Sequence, residues 1–197
     1  MNFLAHAVLS FGDPEILTGN MISDFVKGNL QYNYSPGIQR GIRLHRTIDR
    51  FTDLHPLTRE AKKLLYPAAG PYAGALIDIV YDHFLALDEK EEPENGWHPF
   101  SQSVYAELHA RSTMLPENFV RMLPYMTEHN WLFNYRHKQQ IEQSFRGIAR
   151  RARYFDAAEA AFRLFEDNYP EFEQHYQQFF PELKAFAINE HKQQEKS

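Results

Sequence analysis

Residues 76–87 constrain this 197-residue chain more than any other stretch. At 100° per residue, Leu76, Ile77, Ile79, Val80, Phe84, Leu85 and Leu87 cover nearly the whole circumference of a helix. A helix that is apolar on every side has to be buried. Yet this one carries Asp78 and Asp82 four residues apart on one stripe, with His83 beside them. Two buried carboxylates repel, and both are costly to take out of water unless a cation compensates. That cation is either a metal or a set of arginines, such as those near residue 46, in a buried salt-bridge network. The fold must therefore enclose this helix and deliver positive charge to its acidic stripe.

The remaining sequence reads as further helices. Asp13-Pro14 is an N-cap followed by proline at the first helical position, and Gly28 is a stop. Ser35-Pro36 opens a helix running to about residue 55, and Pro56 restarts the chain into 57–66. A strongly apolar helix covers 71–87, and residues 88–96 form an acidic surface loop. Helices follow at about 100–114, 117–129, 136–153 and 156–186, the last kinked or split by Pro170. Strict strand alternation is absent and β-branched residues are sparse, so the expected fold is all-α. Phe162, Phe165, Tyr169, Phe172, Tyr176, Phe179 and Phe180 recur at near-helical spacing and are expected in the core. With 43% hydrophobic residues, the chain reads as one multi-helix domain over 1–189, with a polar, frayed tail at 190–197.

Charge and composition narrow the functional classes. A net charge of -5 argues against a general nucleic-acid binder. The absence of cysteine excludes a disulfide scaffold, a thiolate metal site and a cysteine nucleophile. The first twelve residues carry His6 and no basic stretch, unlike a signal peptide, and no apolar run reaches the roughly 20 residues of a membrane span. The expected location is the cytoplasm, with no membrane partner.

On the helix beginning at Pro36, Leu44, Ile48 and Phe51 mark the apolar face, and Arg43, Arg46, Arg50 and Asp53 the wet face. His45 and Asp49 fall on the border, four residues apart, where side chains are neighbours. Such a pair is either a surface contact of little energetic weight or part of a divalent-metal site. Asp24 is expected on the first long helix, one turn after Asn20, with Gly19 allowing close helix packing. His6 lies in an apolar segment. A helix bundle can converge His6, Asp24, His45, Asp49, Asp78, Asp82 and His83 in its interior. Carboxylates mixed with imidazoles suit manganese, magnesium or iron.

These residues also resemble a known family. Met1-Asn2-Phe3-Leu4-Ala5-His6, Gly19-Asn20 with Asp24-Phe25-Val26-Lys27-Gly28, His45-Arg46-Thr47-Ile48-Asp49 and Asp78-Ile79-Val80-Tyr81-Asp82-His83 resemble the acyl carrier protein phosphodiesterases. Looser matches continue through Trp131-Leu132, Gly147-Ile148-Ala149-Arg150-Arg151 and Phe179-Phe180-Pro181. The resemblance implies an HD-domain-like helical fold and a divalent metal, with manganese favoured. It implies removal of 4'-phosphopantetheine from holo acyl carrier protein, with Asp24 as an essential aspartate. The chain has no adjacent His-Asp pair; the nearest is the reversed Asp82-His83.

The combined expectation is a metal-dependent phosphodiester hydrolase. His6, Asp24, His45, Asp49, Asp78 and Asp82 are the candidate ligands, and Asp24 also stands at the catalytic centre. His83 is the candidate proton donor, Lys27 and Arg46 the phosphoryl contacts, and Arg40, Arg43 and Arg50 the docking surface for an acidic carrier protein. The alternatives are a phosphohydrolase acting on a nucleotide or other small phosphoester, and a non-catalytic helical binding protein whose acids serve only in salt bridges.

Overall fold

A computed structural model describes residues 1–195. Its helices are α1 (Phe3–Val8), α2 (Pro14–Ile22), α3 (Pro36–Leu54), α4 (Pro56–Ala69), α5 (Ala73–Leu87), α6 (Trp97–Ala110), α7 (Glu117–Glu128), α8 (Trp131–Asn134), α9 (Lys138–Arg151), α10 (Ala158–Asp167) and α11 (Tyr169–Glu195). Short 3-10 segments cover Ser23–Phe25, Gly28–Asn33, Gly70–Tyr72 and Ser112–Met114. There is no strand among the described residues, and the fold is all-α. No described helix is long and apolar enough to cross a membrane.

Local chemistry sets the helix starts. The Asp13 carboxylate accepts from the backbone N–H groups of Glu15 (2.8 Å) and Ile16 (3.0 Å), satisfying donors that a helix start leaves free. Ser35 caps α3 and His55 caps α4, each followed by a proline at the first helical position. The ends are harder to read. α2 stops at Ile22, not at Gly28, because Ser23 turns aside and its hydroxyl donates to the Ile42 carbonyl. Asp24 therefore sits in a 3-10 turn and not on the long helix expected for it. At the other end, residues 156–186 divide at Asn168, ahead of Pro170, as the sequence suggested. Residues 190–195, expected as part of a frayed tail, continue α11; residues 196–197 lie outside the described residues.

Helix α5 is buried as its composition demands. It packs against α1, α4, α8, α9 and α11. Leu76, Ile77, Val80 and Leu85 are sealed, and each such side chain contributes roughly 1.5–3 kcal/mol through burial. The aromatic stripe of α11 covers it from one side, with Tyr81 stacked on Phe179 at 4.9 Å between centroids. The acidic loop is fastened to the same helix: Tyr176 donates to Asp88 (3.1 Å) and Lys184 to Glu91 (2.6 Å). One hydrophobic cluster runs from Met1 to Ala187.

The closest helix crossing is that of α2 with α3. Gly19 and Gly41 meet there, and a Cβ on Gly19 would collide with the carbonyl of Ile38 and with backbone atoms of Gly41 and Ile42. Backbone cannot move aside as a flexible side chain can. We predict that Gly19→Ala lowers the unfolding free energy by about 1–3 kcal/mol in urea titrations. Gly74→Ala meets only the end of the Lys62 side chain. It should be neutral or stabilising by up to about 1 kcal/mol, through helix propensity.

Candidate metal centre

The α2–α3 crossing places Asn20 between two imidazoles. The His45 Nδ1–H donates to the Asn20 backbone carbonyl at 2.7 Å. The Asn20 side-chain amide donates to the His6 carbonyl and to the Ser10 hydroxyl, both at 3.0 Å. Those two bonds fix which end of the amide is oxygen, so His6 Nδ1–H must donate to Asn20 Oδ1, 3.1 Å away. Both rings are thereby set in the same tautomer, stacked 3.8 Å apart, with their Nε2 atoms facing one carboxylate.

That carboxylate is Asp49. Its Oδ1 lies 3.1 Å from His6 Nε2, and its Oδ2 lies 3.1 Å from His45 Nε2. Asp24 Oδ1 adds a third oxygen, 3.3 Å from His45 Nε2. With Nδ1 carrying the proton, each neutral ring turns a lone pair toward carboxylate oxygen. Two acceptors at hydrogen-bond distance need positive charge between them, supplied by a proton or a cation. Ligand atoms from His6, His45 and Asp49 all lie within 4.8 Å of one another, a spacing that could hold one metal ion.

The electrostatics point the same way. Burial opposes charge on His45, but bonds to Asp24 and Asp49 outweigh it and raise its pKa to about 9. Burial, and then the charge of His45, push His6 down to about 4. Burial alone would raise Asp49; its contacts with His45 and His6 instead hold it far below the usual carboxylate range. The hydrogen bond from His45 likewise lowers Asp24. Two stacked imidazoles accept only one proton between them, whereas a single divalent ion would satisfy both Nε2 atoms and the carboxylates together.

The acidic stripe of α5 goes elsewhere. Asp82 accepts from the backbone N–H groups of Asn2 (3.2 Å), Leu4 (2.7 Å) and Ala5 (3.3 Å), so both its oxygens serve the start of α1. Burial raises its pKa to about 7, against the pull of the nearby ammonium and of those N–H donors. Asp78 pairs with the Met1 α-ammonium at 2.9 Å, and the same ammonium lies 3.5 Å from Asp49. The positive charge beside the stripe is thus the Met1 ammonium, not an arginine near residue 46. Asp78 and Asp82 stand outside the His6–His45–Asp49 group: both oxygens of Asp82 serve backbone N–H groups, and Asp78 Oδ1 meets the ammonium.

His83 is also engaged. Its Nδ1 donates to the Tyr135 carbonyl (2.7 Å), and its Nε2 accepts from the Tyr169 hydroxyl (2.8 Å). The ring ties α5 to the turn after α8 and to the start of α11. Burial pushes its pKa down to about 4.

Above the cluster lies an open groove of about 720 Å³. Asp24, His45 and Asp49 line it together with Lys27, Arg46 and Arg50, while His6 reaches Asp49 from the buried side. Arg46 is braced by Gln31 Oε1 and the Val26 carbonyl, both at 2.9 Å. An apolar pocket of about 340 Å³ adjoins the groove through Arg50 and Leu54, with Phe51 and Phe186 among its walls. Arg43 projects outward from α3, whereas Arg40 is half-buried and lies outside the groove. Two contributors had no assigned part in the sequence reading. Asn20 was visible only as the residue one turn before Asp24 and as part of the Gly19-Asn20 motif, and the Met1 ammonium left no signal.

Fold and site define a class: an all-helical protein with an imidazole–carboxylate cluster, fit for a divalent cation, beneath a groove lined by cations. A profile of the acyl carrier protein phosphodiesterase family matches residues 1–183. Relatives bearing that name include one from Photorhabdus laumondii, 33% identical over 96% of both chains. Another, from Enterobacter, is 31% identical over 96% of this chain and 98% of its own. A third, from Yersinia enterocolitica, is 31% identical over 95% and 97%. The chain belongs to the acyl carrier protein phosphodiesterase family. No solved structure matches it.

The environment of His83 generates a pH prediction. Its pKa falls from about 6.5 in the unfolded chain to about 4 in the fold. The unfolded state therefore binds the extra proton first as pH drops, and the contribution to stability is lost between those values. At 1.36 kcal/mol per unit, the whole window is worth about 3 kcal/mol. In denaturant titrations, the stability advantage of the wild type over His83→Gln should shrink as pH falls from 6.5 to 4. An advantage independent of pH would contradict this account.

Proposed function

We propose that this protein is a metal-dependent phosphodiester hydrolase that frees 4'-phosphopantetheine from the serine of holo acyl carrier protein. The observation that carries the reading is the pair of imidazole Nε2 atoms aimed at Asp49 beneath a groove lined with Lys27, Arg46 and Arg50. Membership of the acyl carrier protein phosphodiesterase family supports acyl carrier protein as the substrate. The adjoining apolar pocket supports a substrate with a long organic arm over a small phosphoester, because it extends the groove beyond Arg50 and Leu54.

His6, His45 and Asp49 would hold the metal, with Asp24 as the exposed fourth donor. The family resemblance favours manganese, and imidazole with carboxylate donors also admits magnesium or iron. A divalent ion bound there supplies Lewis-acid activation of water and neutralises phosphoryl charge. The chain's own groups do the rest. Asn20 holds both imidazoles in the ligating tautomer. Arg46, kept extended by Gln31 and Val26, offers its remaining N–H groups to the phosphoryl oxygens, and Lys27 faces the same groove. Water adds at phosphorus, the bond from phosphorus to the serine oxygen breaks, and the serine hydroxyl and free 4'-phosphopantetheine result. Asp78 and Asp82 act through α1, which carries His6, and are not ligands in this scheme. His83 does not protonate the leaving oxygen, since both ring nitrogens are engaged and it does not line the groove.

Incubation with holo acyl carrier protein and manganese, followed by intact-mass analysis, should show loss of the phosphopantetheine mass. A chelator should abolish the loss. His45→Ala and Asp24→Ala should each reduce the rate by about 100-fold or more, beyond what removing an outer partner costs. Asn20→Ala should cost about 10–100-fold and weaken manganese binding in parallel. An unchanged carrier mass with a small diester still hydrolysed would move the substrate to small phosphoesters.

A further inference from the structure

Several arginines elsewhere pair with an acid one turn away, although exposed Arg59 on α4 and Arg150 and Arg151 on α9 form no ion pair among the described residues. Arg111 pairs with Glu107, Arg121 with Glu117, Arg146 with Glu142 and Arg163 with Glu159. The outward face of α3 is set apart by its place beside the groove. It carries Arg43, Arg46 and Arg50, and none of them forms an ion pair among the described residues; nor does Lys27 beside them. A chain of net charge -5 thus keeps a strip of uncompensated positive charge beside its candidate site.

The 3-10 segment Gly28–Asn33 lies along this strip. Arg46 donates to Gln31 within it, and Gln39 donates to the carbonyl of Tyr34 just past its end. None of its six residues is buried. Leu30 is 55% exposed and Tyr32 65%. A lone exposed leucine needs no explanation. Two large apolar side chains on one short segment, bordered by unpaired cations and opening onto the groove, have the composition of a protein contact: apolar anchors inside a charged rim. Neither Leu30 nor Tyr32 lines the groove, so a small phosphoester held there would leave both without a role.

We infer that the segment Gly28–Asn33 and the outward face of α3 form the docking surface for the acidic protein that carries the phosphodiester. Leu30 and Tyr32 anchor it, and Lys27, Arg43 and Arg50 complement its charge. This inference rests on the function proposed above. The surface borders the groove at Lys27 and Gly28, so a partner seated on it presents its modified serine to Arg46 and the imidazole cluster. The charges steer encounter, while the anchors hold the docked state.

The test compares wild type with the double variant Leu30→Ser, Tyr32→Ser and with Arg43→Glu, using manganese-loaded enzyme. Two substrates are used: holo acyl carrier protein and bis(4-nitrophenyl) phosphate. Circular dichroism establishes that each variant is folded. The double variant should raise KM for the carrier by about tenfold with kcat little changed. Arg43→Glu should raise KM comparably and flatten its dependence on salt. Hydrolysis of the small diester should be the same in all three proteins. Unchanged carrier KM in both variants would overturn the inference. So would an equal loss on both substrates, because the segment would then be shaping the groove. Unchanged KM together with loss of wild-type self-association in the double variant would overturn it as well, by assigning the surface to a second copy. A wild type inactive on the carrier would instead defeat the proposed function itself.

Discussion

The acidic stripe of α5 is the constraint on which the site depends. Asp82 is sealed inside the protein and gives both oxygens to the first backbone N–H groups of the chain. Asp78, one turn earlier, takes the α-ammonium of Met1. Together they fasten the start of the chain to the buried helix α5. A short helix such as α1 has little stability of its own, so its position is set by these contacts. Because α1 carries His6, a pair of carboxylates outside the imidazole cluster decides where one of its nitrogen atoms lies.

Close backbone approach does comparable work on the other side. Gly19 and Gly41 let α2 and α3 meet without side chains between them. That approach brings the Asn20 carbonyl within 2.7 Å of His45 and its amide within reach of His6. One asparagine thus orients two imidazoles from two helices. The stacked rings and the shared carboxylate form a group whose ligand atoms lie close enough to hold one metal ion.

The groove combines acids and bases for separate purposes. Asp24 and Asp49 belong with the imidazoles, whereas Lys27, Arg46 and Arg50 remain free to meet phosphate. Along α3, the inward face supplies His45 and Asp49, and the outward face supplies cations with no acidic partner among the described residues. One helix therefore carries both the members of the candidate metal group and the cations beside it.

Much of the fold was legible in sequence because its signals are local. Proline after a capping residue opened α2, α3 and α4 where expected, and Pro170 divided the last long helical stretch. The 76–87 pattern required a buried helix and a compensating cation, and both are present. His45 and Asp49 were readable as neighbours because a helix makes them so. The cation's identity was not readable, since an α-ammonium 77 residues away from Asp78 in the chain carries no periodic signal. Nor was the division of the acids: Asp78 and Asp82 looked as suitable for a metal as Asp49, but the Met1 ammonium meets Asp78 and the backbone at the start of α1 bonds Asp82. Sequence by itself determined the helices, the buried acidic stripe and the supply of imidazoles and carboxylates, because these follow from spacing along one chain. Only the tertiary structure decided which of them converge, because that depends on which backbone donors and ring nitrogens arrive at each carboxylate first.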